Sequence, residues 1–92
     1  MIIRIAAEGQ YRMASSYLDQ INEIDNQLVE AIASGDRDGF AKYFGSLLDL
    51  VRKHGEPLAH DELVESQLVL PPADTTFDEA AHLFVAEGLV PD

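Results

Sequence analysis

Apolar and polar positions alternate at the start of the chain, with Ile3, Ile5 and Ala7 on one side and Ile2, Arg4 and Ala6 on the other. A period of two is what a strand requires. Glu8-Gly9-Gln10 supplies a turn in which Gly9 is free to take a positive φ. Tyr11-Arg12-Met13 then returns as a second strand, so the pattern predicts a β-hairpin over residues 2–13. A lone hairpin is marginal in water and must pack on another element.

The period next changes to that of a helix. Ala14, Tyr17, Ile21, Ile24, Leu28 and Ala31 recur in steps of three and four, thickened by Leu18, Val29 and Ile32. Asp19, Asn22, Glu23, Asn26 and Glu30 fall on the opposite face. Ser15 or Ser16 is placed to cap the start, and Gly35 suits the left-handed position after the last turn. A second helix begins at once, with Phe40, Phe44, Leu47 and Val51 as its stripe and Tyr43, Leu48 and Leu50 beside it. Asp49 and Lys53 stand in the favourable acid-before-base order on its polar side. Gly55 ends it and Pro57 prevents resumption. The short connection makes residues 15–34 and 37–54 an antiparallel αα-hairpin. Gly45 inside the second helix costs about 1 kcal/mol against Ala, which a close approach of the helices would explain.

Beyond Glu56 the pattern is mixed. Asp61-Glu62-Leu63-Val64 allows a helical turn, and Gln67-Leu68-Val69-Leu70 reads as a short strand stopped by Pro71-Pro72. Thr76-x-x-Glu79 is a capping box that opens a third helix over residues 77–87. Phe77, Ala80, Ala81 and Phe84 form its apolar face, and Gly88 terminates it. The expected fold is α+β in one domain, residues 1–92, with the hairpin and the strand at 67–70 packed on the αα-hairpin and the last helix. Phe77 and Phe84 close the core.

Composition narrows the function more than the fold. The absence of cysteine excludes disulfides, thiolate metal sites and a cysteine nucleophile. The apolar runs fall far short of the roughly 20 residues that span a bilayer, and the N-terminus lacks a signal-peptide pattern. A soluble cytoplasmic protein is expected. Seventeen acidic residues against six basic ones leave a net charge of −11. Such a surface repels nucleic-acid phosphates and anionic headgroups, so no direct nucleic acid binding or membrane insertion is expected. It suits a basic protein partner, or simply a solvated exterior.

Candidate chemistry is sparse. Ser34-Gly-Asp-Arg-Asp-Gly invites a calcium reading, but the bidentate glutamate of an EF-hand loop is absent, so Asp36 or Asp38 reads as an N-cap. His54, His60 and His82 lack helical zinc spacing. His54 reads as a C-terminal helix cation and His60 as part of a solvated loop with Asp61 and Glu62. Ser15 and Ser16 have no nucleophile-elbow context, and no phosphate-binding glycine loop is present. Gly9 with Arg12 offers only a minimal anion seat. No catalytic, cofactor or metal residues are assigned, and the chain is expected not to be an enzyme.

The opening MIIRIAAEGQYRM, the helical pair ending LLDLVRKHGEPL, the stretch DELVESQLVLPPADTTFDEA and the terminal EGLVP resemble, in that order and spacing, the PspAA family of small proteins associated with phage-shock protein A. The likeness covers nearly the whole chain. It implies a non-enzymatic role beside PspA, a coiled-coil membrane-remodelling protein of the envelope stress response, with recruitment to the inner membrane face through that partner. A partner surface is placed on Arg4, Tyr11, Arg12, Asp19, Glu23 and Glu30. The alternatives are a homodimer that pairs an open strand edge at residues 2–6, and a small-ligand or metal-binding domain.

Overall fold

The computed structural model describes residues 1–59 and 64–83. Two strands, β1 (Ile2–Ile5) and β2 (Gly9–Arg12), lead through a 3-10 turn (Ser15–Tyr17) into α1 (Leu18–Ser34) and α2 (Arg37–His54). A two-residue strand β3 (Glu56–Pro57), a three-residue strand β4 (Leu68–Leu70) and α3 (Phe77–Leu83) complete the order. The sheet runs β3-β2-β1-β4. The architecture is the expected α+β, with a small mixed sheet on one side of the helical hairpin.

Register explains the first departure from expectation. Ile2 pairs Arg12, Ile3 pairs Tyr11, Arg4 pairs Gln10 and Ile5 pairs Gly9, which centres the hairpin on Ala7. The turn is therefore Ala6-Ala7-Glu8, closed by the Glu8 N–H donating to the Ile5 carbonyl at 3.0 Å. Gly9 does take a positive φ of 146°, but as the first residue of β2, and Ala7 occupies the left-handed region at φ 66°. Outside the strands, the Met13 N–H continues the pairing onto the Met1 carbonyl at 2.8 Å.

β4 joins β1 in parallel, with Ile3 beside Leu68, Arg4 beside Val69 and Ile5 beside Leu70. The Ile2 N–H also donates to the Gln67 side-chain carbonyl at 2.5 Å. β1 thus has a neighbour on both edges, so the open strand edge at residues 2–6 does not exist and a dimer cannot form through it. β3 was not expected at all. It pairs Tyr11 with Pro57 and Arg12 with Glu56, and the Leu58 N–H extends it onto the Gln10 carbonyl. Pro57 has no N–H to offer, which suits an edge.

Alternation then sorts the two faces of the sheet. Ile3, Ile5, Leu68 and Leu70 point to the helices and join Met13, Ile21, Leu28, Phe40, Phe44, Leu47, Leu48, Val51 and Ala80 in one buried cluster. Arg4, Gln10, Arg12 and Val69 lie on the other face by the same register. Gln10 donates from Nε2 to the Val64 carbonyl at 2.9 Å and to Ser66 Oγ at 2.8 Å, which holds the approach to β4 against this outer face. Ile2, outward by alternation, is nevertheless buried.

Of the helices, α2 keeps its expected limits, while α1 begins at Leu18 where residue 15 was expected. Neither Ser15 nor Ser16 caps α1, because the chain enters it through the 3-10 turn and no side chain accepts at either start. Ala14 and Leu18 are exposed at that entrance and lie outside the core. Gly35 does close α1 in the left-handed conformation, φ 75°, its N–H meeting the Ile32 carbonyl while that of Asp36 reaches the Ala31 carbonyl. Asp36 caps α2, accepting from the Gly39 N–H at 2.9 Å. The Thr76–Glu79 box forms in both directions, at 3.0 and 3.2 Å. Ala80 is buried but Ala81 is exposed, so the inner face of α3 rests on Phe77 and Ala80. The continuation of α3 to residue 87, with Phe84, and the turn begun at Asp61 lie outside the described residues.

Gly45 is not a close-approach glycine. A Cβ built there meets nothing within 4 Å. Gly45→Ala is therefore expected to raise stability by about 0.5–1 kcal/mol through helix propensity alone. A thermal melt showing no gain would mean that the position is constrained in some other way.

Candidate interaction surface

The hairpin turn is fastened to the end of α2 by charge. Arg52, in the last turn of that helix, donates from Nε to Glu8 Oε2 at 2.9 Å and from Nη2 to Glu8 Oε1 at 2.5 Å. The Tyr11 hydroxyl donates to the same Oε2 at 2.7 Å. These hydrogen bonds, from Arg52 first and then Tyr11, hold the Glu8 carboxyl down at about 2 against an ordinary 4.5. The Tyr11 phenol is pushed up, chiefly by its bond to Glu8. A carboxylate depressed on folding contributes stability that is complete above its unfolded pKa and is lost as pH falls through the folded one. The expected loss thus runs from about pH 4.5 toward pH 2. Urea midpoints at about pH 7 and pH 3 should differ less in Glu8→Gln than in the wild type. Equal differences would contradict the assignment.

A second fastening holds α3. Arg37, the first residue of α2, pairs with Asp78 at 3.0 Å, and its guanidinium lies 4.6 Å from the centroid of the Phe77 ring. Phe77 in turn meets Phe40 edge-on at 5.8 Å. The expected Asp49–Lys53 pair is not among the ion pairs of the described residues. His54 stacks on Tyr17 at 5.0 Å, and its Nδ1 lies 3.2 Å from the Tyr17 hydroxyl.

The expected surface residues divide between the two layers. Arg4 and Arg12 are exposed on the outer face of the sheet, and neither takes part in an ion pair or hydrogen bond among the described residues. Asp19, Glu23 and Glu30 are exposed along α1 in a row that spans about 16 Å at 1.5 Å per residue. Tyr11 belongs to neither group, being half-buried on the helix side and bound to Glu8. The set of six is therefore not one patch: two arginines lie on the outer sheet face, where Glu56 stands opposite Arg12, three carboxylates lie along α1, and Tyr11 faces the helices. Gly9 and Arg12 stand at opposite ends of β2, so they build no common anion seat.

Grooves open at two places among the described residues. One, of about 170 Å³ at the hairpin end, is lined by Arg4, Glu8, Gln10, Tyr11, Leu58 and Ala59 among others. The other, of about 300 Å³ where α1 meets α2, is lined by Gln27, Glu30, Ser34, Asp36 and Tyr43 together with Ala31. Among the described residues no group of three or more histidine, aspartate or glutamate side chains is placed to hold a metal ion. Among the same residues no helix is long and apolar enough to cross a membrane.

Sequence reasoning missed the Glu8–Arg52 pair, which joins residues 44 positions apart and leaves no local signal. It also missed Asp25, buried within the apolar stripe of α1. The stripe was traced past it from Ile21 and Ile24 to Leu28, and a polar residue inside such a stripe is itself a signal of burial. No buried side-chain nitrogen or oxygen of the described residues lacks a hydrogen-bond partner. Val64 and Val69, exposed at 40% and 53%, were likewise not singled out.

No curated protein and no solved structure matches the chain. The sequence profile of the PspA-Associated protein family, PspAA, matches residues 1–92, the whole of it. The hairpin, helical pair, short strand and capped helix are the segments whose sequence resembled that family, and the match spans them all. The chain belongs to the PspA-associated protein family.

Proposed function

We propose that this protein is a non-enzymatic regulatory module of the envelope, or phage-shock, stress response that binds a PspA-type coiled-coil protein and modulates it. The observation that carries the reading is the family match over residues 1–92, since that family is described by its association with PspA. The net charge of −11 and the exposed carboxylates Asp19, Glu23 and Glu30 support a basic segment of the partner as the target of α1. Opposite charge on the two surfaces would speed encounter and fix orientation. Binding would shift PspA between its soluble and membrane-assembled forms. The module would act in the cytoplasm and reach the inner membrane face only through its partner.

A pull-down against the PspA encoded in the same genome tests this directly. Retention at low salt that weakens as salt rises is expected, because exposed charge pairs are screened. No retention even at low salt would overturn the direct-partner reading.

A further inference from the structure

From Met13 to Asp36 the chain carries Asp19, Glu23, Asp25, Glu30 and Asp36 but no lysine, arginine or histidine. The six lysines and arginines all lie among the described residues, so the sign of this stretch is fixed. Arg37 is engaged with Asp78 and Arg52 with Glu8, while Arg4 and Arg12 belong to the sheet. The groove where α1 meets α2 opens at the end of this stretch. Gln27, Glu30 and Ser34 recur at helical spacing and share one side of α1, with small Ala31 between them, and Asp36 and Tyr43 close the other side. Glu30 is exposed and makes no hydrogen bond or ion pair among the described residues. Asp36 commits Oδ1 to the Gly39 N–H at 2.9 Å, and its Oδ2 has no hydrogen-bond partner among those residues. Ser34 donates to the Ala31 carbonyl at 3.2 Å, which leaves its oxygen able to accept. Lys42 lies outside the lining. Its ammonium stands 5.4 Å from the Tyr43 ring centroid and pairs with neither carboxylate among the described residues.

We infer that this groove seats an arginine side chain carried by a basic helical segment of a partner protein. Charge complementarity selects the sign, because every charged group in the described lining is a carboxylate. The number of acceptors selects arginine. A guanidinium presents five N–H donors in a planar fork and an ammonium only three, so arginine can engage Glu30, Asp36 and the neutral acceptors together. Such charge-assisted bonds are stronger than neutral ones. Size agrees: about 300 Å³ lies at the lower end of the range for ligand sites, room for one long side chain. The rest of the segment would lie along α1. Glu23 precedes Glu30 by two helical turns, about 10.5 Å, so basic residues seven apart on a partner helix would meet both.

The inference rests on the proposed reading of α1 as the partner face and deepens it by naming the seat. The probe is a synthetic helical peptide with arginines seven residues apart, titrated into the isotope-labelled protein and followed by amide chemical shifts. The largest shifts are expected over residues 27–43. Affinity should fall about tenfold or more in Glu30→Gln/Asp36→Asn, and severalfold in a peptide with lysine for arginine. Asparagine caps a helix as well as aspartate does and Glu30 is exposed, so this variant should keep its circular-dichroism melt. Asp19→Asn/Glu23→Gln removes the same charge from α1 outside the groove and should cost about threefold or less. Equal losses in the two double variants would mark a diffuse field and overturn the inference. Shifts elsewhere, or none, would also overturn it. So would displacement of the peptide by an equal concentration of calcium, which would mark a general cation site. A PspA pull-down undiminished in Glu30→Gln/Asp36→Asn would overturn the seat and leave the proposed function standing. Peptide seated in the groove with no PspA retained would do the reverse.

Discussion

Ile3→Ala is expected to lower the unfolding free energy by about 2–5 kcal/mol, a large part of the roughly 5–15 kcal/mol that a small domain commands. Ile3 has no solvent exposure and sits in the middle of β1, between Tyr11 on one neighbouring strand and Leu68 on the other. Its side chain joins the packing of the sheet to that of the helical pair, so truncation leaves a cavity where neither layer can relax alone. Val69→Ala, one strand away and 53% exposed, is the control and should cost no more than about 0.5 kcal/mol. Urea titrations of the two variants measure both. Similar losses would mean that the two faces of the sheet have been assigned wrongly.

Gly55→Ala carries the second large effect. The backbone there is extended, at φ −85° and ψ 151°, a conformation open to any residue, so glycine is not required for its freedom. It is required for space. A Cβ would lie against the Val51 carbonyl oxygen, 2.9 Å from Tyr11 Cβ and 3.3 Å from Met13 Cγ. This is where the end of α2 crosses the returning strand, and the first obstacle is backbone, which cannot rotate aside. Overpacking of this kind costs about 1–3 kcal/mol. At about 4–8 °C per kcal/mol for a domain of this size, the melting temperature should fall clearly. An unchanged melt would show that the strand and helix are less tightly apposed. Gly45→Ala should move in the opposite direction, because nothing stands within 4 Å of that Cβ.

What the residues disclose in advance follows the range of the interactions involved. The limits of α2, its Asp36 cap and the Thr76–Glu79 box rest on contacts three residues apart, and these were legible. Gly55 was identified as a helix end through the left-handed conformation, which it does not adopt; what bars a Cβ there is the Val51 carbonyl, with Tyr11 and Met13 behind it. The turn was placed at Gly9 because glycine tolerates positive φ, whereas register, set by Ile3 against Tyr11, moved it onto Ala7. The parallel pairing of β1 with β4 spans some sixty residues, and β3 is too short to show a period. The exposure of the charged residues expected at a partner surface was legible from the chain. Their division into two faces was not, because it depends on which side of the sheet the helices cover.

That division leaves a row of three exposed carboxylates along α1, on a different layer from Arg4 and Arg12. The most direct test of the account is calorimetric titration of the cognate PspA into the wild type and into Asp19→Asn/Glu23→Gln/Glu30→Gln, each at low and at high salt. Wild-type binding that weakens with salt, and a triple variant at least tenfold weaker with little salt dependence left, is the predicted result. Equal affinity of the two proteins at both salt concentrations, or no heat of binding from the wild type, would contradict it.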